Sequence, residues 1–314
     1  ARQKAHVDKR KGLAQVLEIV PSEDAVKADD KPSFALRRRR KSSMWMAVEA
    51  AAQGRADTIV SAGNTGALLA ISMFAMRMLE GADRPALASF MPTSRGETVM
   101  LDLGANLECD ADNLAQFAVM GSVFAQALLG LDAPKVGLLN VGSEELKGHE
   151  ELRQAAALLR RPGSPVNFHG FVEGNDIGAG VTDVVVTDGF TGNVALKAIE
   201  GTAKLTFQFV GDAFRTSTFA KIGYLFASGA WKKLRKRVDP RRYNGGVFLG
   251  LDGVCVKSHG GTDALGFAYA IGVAVDLVRY EYKSKLVEGL ARLREISASA
   301  ETPAASLQTT GGTA

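Results

Sequence analysis

The stretch VVVTDGFTGNVALK, Val184 to Lys197, carries an apolar run into Asp188, Gly189, Thr191 and Asn193, and reaches Lys197 within the helical pattern that follows. Glycines let backbone N–H groups approach an anion, and a helix N-terminus turns partial positive charge toward it. Asn, Ser and Thr add neutral donors, and lysine adds charge. The arrangement recurs at Asn64, Thr65 and Gly66; at Asp102, Gly104 and Asn106; and at Asn140, Ser143, Glu144 and Lys147. Lys257, Ser258 and His259 close a later segment. These residue types fit a phosphate site with carbonyl-binding groups beside it. Any one such elbow is also ordinary turn and N-cap composition, and a lone histidine such as His259 is more often structural. Four elbows of one type are what argue for chemistry.

Other chemistries lack their signatures. There is no G-x-S-x-G elbow for a hydrolase and no G-x-x-x-x-G-K-[ST] loop for a nucleotide. GAGVTD at Gly178–Asp183 is not a dinucleotide fingerprint, and His6, His149, His169 and His259 have no metal-ligand spacing. No metal and no cofactor are expected. Cys109 and Cys255 lie far apart, which suggests neither a disulfide framework nor a zinc site and points to a reducing compartment.

Something must hold the elbows, and the chain alternates strand, polar turn and helix. Asp57–Ala62 reads as a strand, GNTG turns, and ALLAISMFAMRMLE is helical. TVMLDLGAN, KVGLLNVGSEELKG and DVVVTDGFTGN each lead into a helical pattern. VFLGLDGVCVKSHGG reads as two short strands about an LDG turn, followed by one long helix from about Thr262 to Ile296. Short apolar strands alternating with helices predict an α/β fold built on a doubly wound, mostly parallel sheet. Ligands in such sheets sit beyond the carboxyl ends of the strands, so all the elbows are expected to share one site. Residues 1–297 are expected to form a single α/β domain, and the small, polar residues 298–314 a disordered tail.

The net charge of +4 is concentrated at Arg37–Lys41 and at Trp231–Arg242, the latter with seven cations and one acid. Just before it, Phe207 to Trp231 holds seven of the 22 aromatic residues at partly helical spacing. An aromatic, then basic segment at 205–242 suits an anionic membrane surface. A packed aromatic face with a solvated basic end fits equally well.

The motifs VSAGNTGALLA, LDLGAN, LLNVGSEELKG, GFVEGNDI, VVVTDGFTGNVALK and YNGGVFLGLDGVCVKSHG resemble those of the acyl-ACP:phosphate acyltransferases of bacterial phospholipid synthesis, the PlsX family. The resemblance runs in order from about Val16 to Leu293. It implies a fold similar to the isocitrate and isopropylmalate dehydrogenases and to phosphotransacetylase, with a helical hairpin insertion. It implies a cytoplasmic, peripherally membrane-associated homodimer. The reaction implied is transfer of a long-chain acyl group from acyl-ACP to inorganic phosphate, the acyl phosphate passing to a membrane glycerol-3-phosphate acyltransferase. The family also starts with a strand and a glycine-rich segment ahead of the first residues here, so that strand is expected to be missing from the sheet. On this reading Lys147, Lys197, Thr65 and the Gly63–Gly66 backbone, Asn64 included, take phosphate, with Ser143 and Thr191 as further donors. Asn193, with Asn106 or Asn140, faces the thioester oxygen, and Asp188 orients a lysine or the elbow. His259 or Lys257 assists the thiolate or the phosphate proton. Arg235, Lys236, Arg241 and Arg242 meet acidic ACP or anionic lipid, and no nucleic acid is expected.

Overall fold

A computed structural model describes residues 16–301. Eight strands form one sheet in the order β1-β8-β7-β2-β3-β6-β4-β5. They are β1 (Thr58–Ser61), β2 (Ala86–Thr93), β3 (Gly96–Leu101), β4 (Lys135–Leu139), β5 (Asn167–Val172), β6 (Val184–Val186), β7 (Gly246–Leu249) and β8 (Val254–Lys257). Alternate residues of each strand point to opposite faces, and both faces are covered. Val247, Val256, Val99, Leu101, Val184 and Val186 face a core that includes helix α4 (Ala111–Leu129), α10 (Ala264–Arg279) and α11 (Tyr282–Glu301). Phe248 and Cys255 face the other way, onto α1 (Pro32–Arg38), α2 (Ser43–Ala52) and α3 (Thr65–Ala75). Met100, Leu139 and Val185 face that second side under the first turns of α7 (Gly189–Arg215) and α6 (Gly174–Ala179). The last α-helix of the remaining fold, α5 (Glu150–Leu159), lies between β4 and β5 in the chain.

The elbows inherit their positions from the strand directions. β1 and β8 are parallel to each other, and β3, β6, β4 and β5 form a second parallel group. Between them β7 is antiparallel to β8, β2 to β7, and β3 to β2. Three reversals set the two parallel groups in opposite senses, so their carboxyl ends lie at opposite edges of the sheet. β2 is the strand that sequence pattern hides. Pro92 interrupts ALASFMPT, and proline demotes a run from strand to edge or loop. Here Pro92 pairs with Glu97 in the β2–β3 hairpin, beyond the part of β2 that pairs with β7.

Two further differences concern the C-terminal part. The helix expected over Thr262–Ile296 is two, broken at Tyr280 and Glu281, where Glu281 takes a left-handed φ of 55°. The second helix continues to Glu301, into the segment expected to be disordered; 302–314 lie outside the described residues. Among the described residues no helix is long and apolar enough to cross a membrane.

The insertion comprises the later part of α7 with α8 (Thr218–Phe226) and α9 (Ser228–Arg237). Its aromatic residues divide between a packed cluster and an exposed face. Phe214, Tyr224 and Trp231 pack on one another at 5.3 to 6.2 Å and tie the three helices together. Phe209, Phe219 and Phe226 face solvent, the last at 88% exposure, beside exposed Leu225 and Ile222.

Candidate active site

Three elbows lie at one edge of the sheet, and Asp102 organises two of them. Its side chain is fully buried. Oδ1 accepts from the backbone N–H of Leu87, Gly104 and Ala105; Oδ2 accepts from the N–H of Asn106 and from its amide Nδ2. Five donors around one carboxylate fix the 102–106 turn as a rigid loop. The Asp188 elbow is pressed against it. Gly189 N–H donates to the Asn106 carbonyl at 2.7 Å, and a Cβ on Gly192 would lie 1.9 Å from the Asp102 carbonyl oxygen. Only glycine permits that approach. Asp188 caps α7, accepting from Thr191 N–H at 2.8 Å; it orients the elbow and not a lysine. Asn193 then stands over Gly104, whose added Cβ would be 3.7 Å from that of Asn193. Thr191 and Asn193 are exposed, and among the described residues the Asn193 amide has no hydrogen-bond partner.

The third elbow, on β4, joins from the neighbouring strand. Asn140 is buried, accepts from Val141 N–H and donates to the Lys147 carbonyl at 3.0 Å. Its side chain shapes the 140–147 loop. Lys147 pairs with Glu144 at 2.9 Å, and both are exposed along with Ser143. That pairing raises the ammonium pKa and lowers that of Glu144. Lys197 pairs with Glu200 at 3.0 Å and lies about 12 Å along α7 from its start, two turns beyond the elbow. The expected phosphate lysines thus reach solvent already paired. Surface pairs of this kind are weak and open readily to a better anion.

The remaining residues lie at the opposite edge. Asn64 caps α3 by accepting from Ala67 N–H, and its Nδ2 faces the carbonyls of Lys27, Ala28 and Asp30. Its polar atoms are spent on structure. Thr65 is exposed, and Gly66 closes on Pro32, 2.8 Å from an added Cβ. Asn64→Ala removes a cap worth about 1 kcal/mol and leaves carbonyls unpaired, so a fall in the urea midpoint corresponding to about 2 kcal/mol is expected. Asn106 is spent likewise, donating to the Pro85 carbonyl as well as to Asp102. Lys257 is half-buried and donates to the Ser258 carbonyl; burial, with no carboxylate beside it, pushes its pKa down. His259 Nδ1 accepts from Gly261 N–H, so in the neutral ring Nε2 carries the proton. Asn244, absent from the expected set, holds this turn: Oδ1 accepts from His259 N–H, and Nδ2 donates to Ser258 Oγ and the Gly266 carbonyl.

Of the basic set, Arg241 is bound by Asp239 and Asp263 at 2.6 and 2.9 Å and is not a free cation. Arg235, Lys236 and Arg242 are exposed. In the other cluster Arg39 pairs with Asp24 and Asp30, Arg40 stacks on Trp45, and Lys41 pairs with Glu23.

The single site expected from the elbows is therefore two groups. Asp102, Asn106, Asn140, Ser143, Lys147, Asp188, Thr191, Asn193 and, further along the helix, Lys197 belong to one edge; Asn64, Thr65, Gly66, Lys257 and His259 to the other. Physically the cause is the three antiparallel pairings β8–β7, β7–β2 and β2–β3, an odd number of reversals between the two groups. The first group has a free amide donor, a rigid loop whose N–H groups are taken up by Asp102, and a long helix starting at it. Around it Leu107, Val141, Leu146, Phe190 and Val194 stand 54 to 88% exposed, an apolar rim on a polar floor. Such a place can bind an oxyanion beside a hydrocarbon chain.

Comparison with known proteins identifies the family. The model of the fatty acid synthesis protein family matches residues 1–285. A phosphate acyltransferase of Rhodospirillum centenum is 62% identical over 288 residues, 92% of this chain and 81% of that protein. One from Paramagnetospirillum magneticum is 58% identical over 279 residues, 89% of this chain and 80% of that protein. Among solved structures, a phosphotransacetylase from Streptococcus pyogenes shares the fold, with a TM-score of 0.52 and 17% identity over 76% of this chain and 68% of that one. The chain belongs to the fatty acid synthesis protein family of phosphate acyltransferases, and it is an acyltransferase.

Proposed function

We propose that the chain transfers a long-chain fatty acyl group from an acyl-ACP thioester to inorganic phosphate. A phosphate oxygen attacks the carbonyl carbon, the C–S bond breaks, and the thiolate leaves with the electron pair and is protonated. The products are acyl phosphate and free ACP. Phosphate is its own nucleophile, so no activated serine is needed, and a thiol of reference pKa about 8.5 leaves with little acid help. What the protein must supply is orientation and donors for the developing oxyanion. Asn193 over the 102–106 loop serves as that donor. Phosphate is held at the start of α7 and by Lys147, which exchanges Glu144 for the substrate. Lys197, two turns away, guides charge and does not touch the reacting atoms. The observation that carries the long-chain reading is the rim of Leu107, Val141, Leu146, Phe190 and Val194 around the polar floor.

A homodimer resting on an anionic membrane is part of the proposal, and the exposed apolar face of the insertion supports the membrane contact. Acyl phosphate is a mixed anhydride that water destroys, so a membrane glycerol-3-phosphate acyltransferase close by is the natural acceptor. Phe219→Ser with Phe226→Ser is expected to release the chain from anionic vesicles in flotation, with turnover of soluble acyl-ACP retained. Retained flotation would remove the membrane contact from the account.

The nearest other reading is an acyl-CoA phosphotransacetylase. Initial rates with palmitoyl-ACP and palmitoyl-CoA at equal concentration decide it. A kcat/KM at least tenfold higher for the ACP thioester is expected; equal or reversed values favour the other donor.

A further inference from the structure

A basic cleft lies outside the elbows. A cleft of about 290 Å³ opens between the end of α9, the turn at Pro240–Tyr243 and the start of β3. Its walls carry Lys233, Lys236, Arg237 and Arg242 against one carboxylate, Glu97, with Tyr243 at the back. These cations are not simply a solvated helix face. Arg237 is anchored by donating to the carbonyls of Thr93 and Ser94 in the β2–β3 turn, the latter at 2.8 Å. Arg242 donates to the Lys236 carbonyl, and Tyr243 Oη to the Arg237 carbonyl at 2.6 Å. Among the described residues neither arginine forms an ion pair. The Lys233 and Lys236 ammonium groups have no hydrogen-bond or ion-pair partner among the described residues. Arg241, by contrast, is neutralised by Asp239 and Asp263 and does not line the cleft.

Two anchored guanidinium groups and two exposed lysines around one carboxylate leave an excess of like charge that an anion would relieve. The volume sits at the small end of ligand pockets, about 300 Å³, and suits a phosphate group with a few carbons attached. We propose that this cleft binds a phosphomonoester dianion, held by Arg237 and Arg242 with the two lysines closing over it. Occupancy bridges α9 to the β2–β3 turn and so fixes the insertion on the sheet. The ester is either a free small molecule or the headgroup of a phosphatidic-acid-type lipid; the chemistry in the cleft is the same. This inference stands apart from the proposed turnover, because the cleft lies at the sheet edge opposite Asp102, Asp188 and Asn140.

Calorimetric titration with glycerol 3-phosphate, and flotation with phosphatidylcholine vesicles carrying either phosphatidic acid or phosphatidylglycerol matched for surface charge, test it. All are run on the full chain. One supporting outcome is binding of glycerol 3-phosphate, weakened at least tenfold by Lys233→Gln with Lys236→Gln. The other is no binding of the soluble ester but preference for phosphatidic acid vesicles, lost in the same variant; that assigns the lipid source. In either case Lys221→Gln with Lys232→Gln, equal in charge but outside the cleft, retains binding. Absence of both kinds of binding, or equal loss in the two double variants, overturns the proposal. A circular dichroism melt of each variant guards against unfolding, and because binding is read directly, a chain without acyltransferase turnover still gives an answer.

Discussion

Asn193→Ala is expected to lower kcat about 100-fold while leaving the thermal midpoint nearly unchanged. Removing one oxyanion donor elsewhere costs about 10²–10³ in kcat. Asn193 is exposed, its amide has no partner among the described residues, and it stands over Gly104 on the loop that Asp102 organises. The other asparagines predict the opposite pattern. Asn64, Asn106 and Asn140 have amides already bound to backbone or to Asp102, so their alanine variants are expected to lose stability first. Stopped turnover with a stable fold in Asn193→Ala, set against a destabilised Asn64→Ala, separates donor from scaffold. Turnover within twofold of the parent in Asn193→Ala would remove this residue from the mechanism.

Gly192→Ala is expected to be the most damaging single methyl in the site. The new Cβ would sit 1.9 Å from the Asp102 carbonyl oxygen and 2.8 Å from Thr187 Cγ2. Both belong to strand ends locked in the sheet, so α7 must move off the 102–106 loop. Overpacking of this kind costs about 3 kcal/mol, or roughly 6 °C or more in Tm, and it carries Asn193 away from its loop. Gly201→Ala in the same helix is the control. Nothing lies within 4 Å of its added Cβ, so it is expected to stabilise by about 0.5–1 kcal/mol through helix propensity. Thermal melts of the two variants should therefore move in opposite directions.

Much of this site is legible in the sequence because elbows are local. Strand, glycine turn and capped helix follow one another within a dozen residues, and Asp188 and Asn64 each cap the helix that follows their elbow. The lysine pairings escape that pattern: Lys147 and Lys197 read as phosphate ligands, while in the structure they meet Glu144 and Glu200. What sequence pattern does not convey is direction. Pro92 hides β2, and without β2 nothing signals that β1 and β8 run opposite to β3, β6 and β4. The Asp102 hub is hidden for the same reason. LDLGAN reads as one elbow among four, while its value comes from Leu87 and Pro85, which reach it from β2 and the residue before it. Asn244 owes its role to a turn 14 to 22 residues away along the chain.

The central claim is acyl transfer to phosphate, and the most direct measurement is turnover of palmitoyl-ACP with inorganic phosphate, the product trapped by hydroxylamine. Hydroxamate that appears only with phosphate, saturates with its concentration and is matched by free ACP thiol is the predicted result. Hydroxamate formed equally without phosphate, or ACP thiol released with no acyl phosphate, would contradict it.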